Sequence, residues 1–183
     1  MTRIPTLLPE NMTDHQRQVH DTITSGPRGA VRGPLAVWLN RPELASCAQS
    51  LGRYCRFDTS LPPHLSELAI LTTARVWGSE FEWEAHKPIA LEVGLSPDIV
   101  EAIRTHQEPV FEHEDEAVVH EFSKMLHTER HINDDLYSRA VDILGEATVV
   151  DLTGILGYYT LISMTINVFE VPAPEGSLPE LSL

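Results

Sequence analysis

Apolar residues recur along the chain at intervals of three and four, a period that predicts a succession of short helices. Residues 14–25 form the first, and SGPRGAVRGP at 25–34, with three Gly and two Pro, cannot continue it. The next segment, 36 to about 57, sets Leu39, Leu44, Cys47, Leu51, Tyr54 and Cys55 on a broad apolar face. Pro42 marks where its helix begins and separates the turn before it. Residues 58–63 break the pattern. Leu65, Leu68, Leu71, Ala74 and Trp77 then make a nearly continuous stripe, which Gly78 interrupts. A further start lies within 79–94, and Ser96 with Pro97 opens another short helix. After a polar acidic linker at 107–116, helices are predicted over about 115–131, 133–144 and 147–169.

From Val171 the chain is Pro-rich and is expected to run extended over the surface or across a neighbour. No alternating strand pattern of useful length and no fixed repeat is present. The expectation is an all-α, compact single-domain bundle of short helices spanning 1–183, with its core at about 34–174. The last helix is apolar nearly all round, which puts it at the centre of the bundle or in a subunit interface and favours a homo-oligomer.

Composition narrows the function. The chain has 183 residues, 42% hydrophobic and 22% charged, as expected of a folded globular protein. Thirteen Lys and Arg against 27 Asp and Glu leave a formal charge of −14, which repels a phosphate backbone and an anionic membrane surface. Neither nucleic acid nor a membrane is expected as partner. No stretch reaches the ~18 consecutive apolar residues of a membrane span, and Pro, Glu and Asp interrupt the N-terminal residues before a signal-peptide run develops. A cytoplasmic location is expected.

Cys47 and Cys55 lie eight apart, form no Cys-x-x-Cys, and read as small core residues. His113, His120 and His127 recur every seven residues, but HTERH is not the H-E-x-x-H zinc pattern. The flanking sequence reads as the solvated side of an amphipathic helix, so no metal is expected.

The segment from Leu61 through Ser96 resembles the carboxymuconolactone decarboxylase and alkylhydroperoxidase D-like superfamily. The residues that carry the resemblance are Glu67-Leu-Ala-Ile-Leu, then Ala74-Arg75-Val-Trp77-Gly78-Ser-Glu-Phe-Glu-Trp83-Glu-Ala-His86, then Val93-Gly94-Leu95-Ser96. Asn40–Arg56 is similar to the family's preceding helix, and Gly157–Pro172 to its closing one. In the peroxidase branch a Glu is followed twelve and fifteen residues later by two cysteines, with a His four beyond the second. Here those positions, counted from Glu67, hold Ser79, Glu82 and His86. A hydroxyl and a carboxylate cannot reduce a peroxide by thiolate attack, so a thiol peroxidase of that kind is disfavoured.

What remains is an acid/base constellation. On one unbroken helix Glu67 and Glu82 would stand about 22 Å apart. If the chain turns at Gly78, Glu82 and His86, on one face at i and i+4, fold back toward Glu67. Ser79 and Glu82 also fit a capping box, and Glu67 an exposed carboxylate in an early helix turn. His86 reads equally as a partly buried histidine beside Trp83, and Trp77 and Trp83 as core aromatics.

The resemblance implies a cofactor-free lyase of aromatic catabolism, acting on a carboxylated lactone or related small organic acid. His86 would deliver a proton or stabilise an enolate, Glu67 would orient it, and Glu82 is a third catalytic candidate. For the substrate the candidates are Arg75, then Arg56, Arg28 and Arg32, with Trp77, Trp83 and Ser79 around them. A trimer or hexamer is also implied. The alternatives from sequence are a ligand-binding or scaffold protein without turnover, and an isomerase or lactone hydrolase using the same residues.

Overall fold

The computed structural model describes residues 2–26, 28–173, 176 and 178–181. Among them there is no strand. The helices α1 (Asp14–Ser25), α2 (Pro34–Trp38), α3 (Pro42–Arg53), α4 (Pro63–Trp77), α5 (Glu80–Glu92), α6 (Pro97–Arg104), α7 (Glu114–Glu129), α8 (Asp134–Leu144) and α9 (Glu146–Phe169) follow in the predicted order. Local chemistry fixes their ends. Thr13 and Gln16 cap each other's backbone at the start of α1, and the Asn133 side chain accepts from the Leu136 N–H at 2.8 Å before α8. Gly78, at φ 58° and ψ 36°, takes the left-handed conformation that ends α4 and turns the chain into α5.

α4 is the central helix. Leu65 through Arg75 are all buried, with α5, α7 and α9 packed around them. Leu65, Leu68, Ile70 and Leu71 are sealed almost completely, each burial contributing about 1.5–3 kcal/mol. α9 lies against α4 as the pattern predicts. It is the one helix among the described residues long and apolar enough to cross a membrane, and 61% of its most apolar stretch is buried inside the protein. Val150, Leu161, Met164 and Val168 of the same helix stay on the surface.

α3 departs from expectation. Leu44, Leu51 and Tyr54 are each close to half exposed and Cys47 is exposed, while Ala45, Ala48, Gly52 and Cys55 face inward. Small residues let α3 settle onto Tyr158 of α9, a distance that an inward row of leucines would not allow. Only Cys55 is the core thiol that the sequence suggests. His120, read as solvated, is buried against Phe111, and His127 pairs with the Thr73 hydroxyl at 2.9 Å.

α3 ends in a π-helical turn, Tyr54–Asp58, pinned from the far side by α9. Asp151 accepts from the Tyr54 hydroxyl at 2.6 Å and from the Ser60 amide and hydroxyl at 2.7 Å each. Burial pushes this carboxyl up, but the three hydrogen bonds outweigh it and hold the group below its ordinary value. The C-terminal segment lies on its own chain: Glu80 accepts from the Glu180 and Leu181 amides, and Leu181 is buried. The remainder of the predicted extended tail, at 174, 175, 177, 182 and 183, lies outside the described residues.

Candidate active site

The turn at Gly78 brings together what a straight helix would separate. Glu67, on the second turn of α4, is buried rather than exposed, and its Oε2 lies 2.7 Å from His86 Nδ1 on α5. One turn earlier on α5, Glu82 Oε2 stands 3.3 Å from His86 Nε2. All three side chains are at least nine-tenths buried, so the imidazole sits between two carboxylates in a site with little water.

The two halves of that environment oppose each other. Burial alone would drive the proton off His86, but the hydrogen bonds and charges of Glu67 and Glu82 win and raise its pKa to about 9. At neutral pH the ring is an imidazolium, donating from Nδ1 to Glu67 and turning its Nε2–H toward the Glu82 carboxylate. Its Nδ1–H is held in a short, charge-assisted bond and its Nε2–H in a longer contact, so the Nε2 proton is the one more easily given up.

His86 and Glu82 open onto a cavity of about 830 Å³. Tyr159 lines it and meets the His86 ring edge-on at 5.1 Å. Arg28 and Arg32 reach it from the loop between α1 and α2, and Arg56 from the π-helical turn. Arg28 Nη2 donates to the Tyr158 hydroxyl oxygen at 3.3 Å, while its Nε is buried without a partner among the described residues. Burial pushes the Tyr158 phenol up to about 12 and Tyr159 well above its ordinary value, so both remain neutral. Since Arg28 occupies the Tyr158 oxygen, the phenol proton is free to be donated. The wall is cationic and rich in donors, the floor an acid. Such a cavity suits an organic anion held by its carboxylate with a polarisable oxygen near His86.

Gly52 makes this arrangement possible. A methyl group at that position would overlap the Tyr158 hydroxyl and crowd Arg28. Gly52→Ala is therefore expected to destabilise the protein by about 1–3 kcal/mol through overpacking, against the ~1 kcal/mol that alanine gains as a helix former. Urea denaturation decides the sign, and a stabilised variant would mean that Tyr158 is not held against α3.

Four sequence candidates lie elsewhere. Arg75 feels the charges of Glu80 and Arg104, and its Nε and Nη1 are buried without partners among the described residues. It is eight residues beyond Glu67 and so turned about 80° around the helix and carried about 12 Å along it. Trp83 is fully buried, donates to Glu180 at 3.0 Å and does not line the cavity, and Trp77 lies half-buried at the end of α4. Ser79 precedes α5, but the capping box does not form. Its N–H donates to the Ala74 carbonyl at 2.8 Å, its hydroxyl is buried without a partner among the described residues, and the Glu82 side chain is turned to His86. In their places stand Arg28 and Arg32, which the sequence ranked behind Arg75 and Arg56, and Tyr158 and Tyr159, which it did not single out. The Tyr-Tyr doublet was the available signal, but nothing local links positions 130 apart.

Residues 42–117 match the model of the carboxymuconolactone decarboxylase family. That segment contains Arg56, Glu67, Glu82 and His86, whereas the Arg28 loop and the α9 tyrosines lie outside it. Among solved structures the chain is similar to an alkylhydroperoxidase AhpD core, an uncharacterized peroxidase-related protein from Ralstonia eutropha JMP134. The TM-score is 0.77 at 14% identity, over 95% of this chain and 93% of that one. An uncharacterized peroxidase-related protein from Silicibacter sp. TM1040 gives 0.75 at 12% identity, over 95% and 92%. These likenesses establish a shared fold. No curated protein matches the chain.

Proposed function

We propose that this chain, whose residues 42–117 match the carboxymuconolactone decarboxylase family model, is a cofactor-independent acid/base enzyme that decarboxylates a carboxylated lactone or related small organic acid. The single observation that carries this reading is the buried Glu67–His86–Glu82 array at the floor of an arginine-walled cavity. In the proposed reaction Arg28, Arg32 and Arg56 hold the substrate's carboxylates. The bond from carbon to the departing carboxylate breaks, and its electron pair passes into the lactone carbonyl. His86 or the Tyr158 hydroxyl donates a hydrogen bond to the enolate oxygen that forms, and the His86 Nε2 proton then reaches carbon as CO₂ leaves. Glu67 keeps the ring oriented and charged, and Glu82 keeps the transferable proton facing the cavity.

A thiol-based peroxidase, the activity that the relatives' names suggest, has less support in this chain. Neither Cys47 nor Cys55 lines the cavity, and burial together with the Asp151 charge pushes the Cys55 thiol up to about 11, leaving little thiolate at neutral pH.

The test is CO₂ release and loss of lactone absorbance on mixing the full chain with 4-carboxymuconolactone, beside a peroxide-reduction assay with a dithiol. Expected is lactone turnover that falls at least ~100-fold in His86→Ala, the usual contribution of a positioned acid. Peroxide turnover abolished by Cys47→Ser or Cys55→Ser would replace this reading with the peroxidase one. Binding of the lactone without turnover would reduce it to a ligand-binding role.

A further inference from the structure

One aromatic ring separates the arginine-walled cavity from a second, uncharged one. Phe81 lines the cavity that Glu82 and His86 open onto, and it also lines a neighbouring cavity of about 400 Å³. Among the described residues no charged side chain lines that second cavity, and Ile4, Pro5, Val37, Val171 and Pro172 give it an aliphatic wall. Both ends of the chain build it. Arg3 fastens them together, its N–H donating to the Phe169 carbonyl and its guanidinium to the Val168 carbonyl, each at 2.9 Å.

The partition is held from two sides. Against the ring, the Gly33–Pro34 peptide completes it, with Pro34 lining the arginine-walled cavity and Gly33 the uncharged one. Gly33 has φ 56°, and a Cβ there would overlap the Phe81 ring, so the ring lies directly on the backbone that starts α2. Along α5 the residues on either side of Phe81 are both engaged. Glu80 accepts from the Glu180 and Leu181 amides, and Glu82 faces His86.

We propose that Phe81 is a specificity-determining residue, the end stop for the apolar part of an organic acid whose carboxylate the arginine wall holds. A carboxylate is costly to bury among uncharged side chains, so the charged end stays with Arg28, Arg32 and Arg56, and only the carbon skeleton meets Phe81. Without the ring, the aliphatic pocket becomes continuous with the arginine-walled cavity and a longer chain extends into it. That the arginines hold an acid rests on the proposed function; the place of the partition does not.

The experiment is calorimetric titration of the full chain with straight-chain alkanoates from butanoate to dodecanoate. Affinity is expected to rise about fourfold for each methylene buried until the chain meets Phe81, and then to level off. In Phe81→Ala the rise should continue for roughly four more carbons, a gain on the order of 100-fold for the longest acids. Phe81→Leu, a smaller change to the packing, should extend it by less. Ala173→Trp, which fills the uncharged cavity from the segment after α9, should return Phe81→Ala to the parent's limit. The same limit in the parent and in Phe81→Ala, or in Phe81→Leu where the alanine variant does not fold, would overturn the end stop, as would a series that does not bind. A protein that decarboxylates the lactone while its length limit ignores Phe81 refutes the end stop alone. One whose limit moves with Phe81 but that turns over no lactone refutes the reaction alone.

Discussion

Glu67→Gln is expected to bring the His86 titration down from about 9 to near 6.5 or below, and to lower turnover by on the order of 100-fold. The reasoning is a contest of opposing terms. Burial disfavours the imidazolium and two carboxylates restore it. Glutamine keeps the shape and a hydrogen bond but removes one charge, leaving Glu82, at the longer distance, to oppose desolvation alone.

The same change alters the pH dependence of stability. In the parent the folded-state pKa of about 9 lies above the ordinary 6.5. The stabilisation is therefore complete below pH 6.5 and is lost as pH rises through 9, a difference on the order of 3 kcal/mol. In Glu67→Gln the slope between pH 6.5 and 9 should flatten, and an alkaline limb in kcat/KM near pH 9 should move down with it. Titration of the His86 ring by NMR, with urea denaturation across that range, checks both. A ring that still titrates near 9 would mean that Glu82 alone holds the proton.

His86→Ala has the larger expected effect on stability. Removing the cation leaves two carboxylates buried together without a counter-charge, a change that typically costs 3–5 kcal/mol. The deficit should be large at neutral pH and should shrink as pH rises through about 9, where the parent loses its own imidazolium and the two proteins converge. The double variant Glu67→Gln/His86→Ala should then be more stable at pH 7 than His86→Ala alone, because one of the stranded charges is gone. Urea midpoints at pH 7 and 9.5 test the pattern, and a deficit independent of pH would show that the loss is one of packing alone.

Much of this molecule is legible in local signals. Ser96 caps a helix where the sequence marks its start, Gly78 turns the chain where the apolar stripe stops, and the stripe through Leu65, Leu68, Leu71 and Ala74 faces the core. These features depend on neighbours within a few residues. The pairing of Glu67 with His86 follows from them, because once Gly78 reverses the chain the i, i+4 spacing of Glu82 and His86 turns both toward α4.

Where several elements compete for one face, local pattern gives the wrong side. The large apolar residues of α3 satisfy a helical period, yet Ala45, Ala48 and Gly52 face inward, because only a small-residue surface admits the Tyr158 hydroxyl. Ser79 and Glu82 fit a capping box, yet the Ser79 N–H is taken by the Ala74 carbonyl and Glu82 turns to a buried histidine instead.

The sequence by itself therefore determined the all-α class and the order and breaks of the helices, which rest on helix periodicity and turn chemistry. The choice of Glu67 and His86 as the candidate acid rested on the family resemblance, and their contact follows from the turn at Gly78 within twenty positions. Tertiary structure alone decided which arginines and aromatics surround that acid, setting Arg28 against Tyr158 and leaving Arg75 outside the cavity. Contacts across 130 residues depend on how α3, α4 and α9 close around one another, and no local spacing encodes that closure.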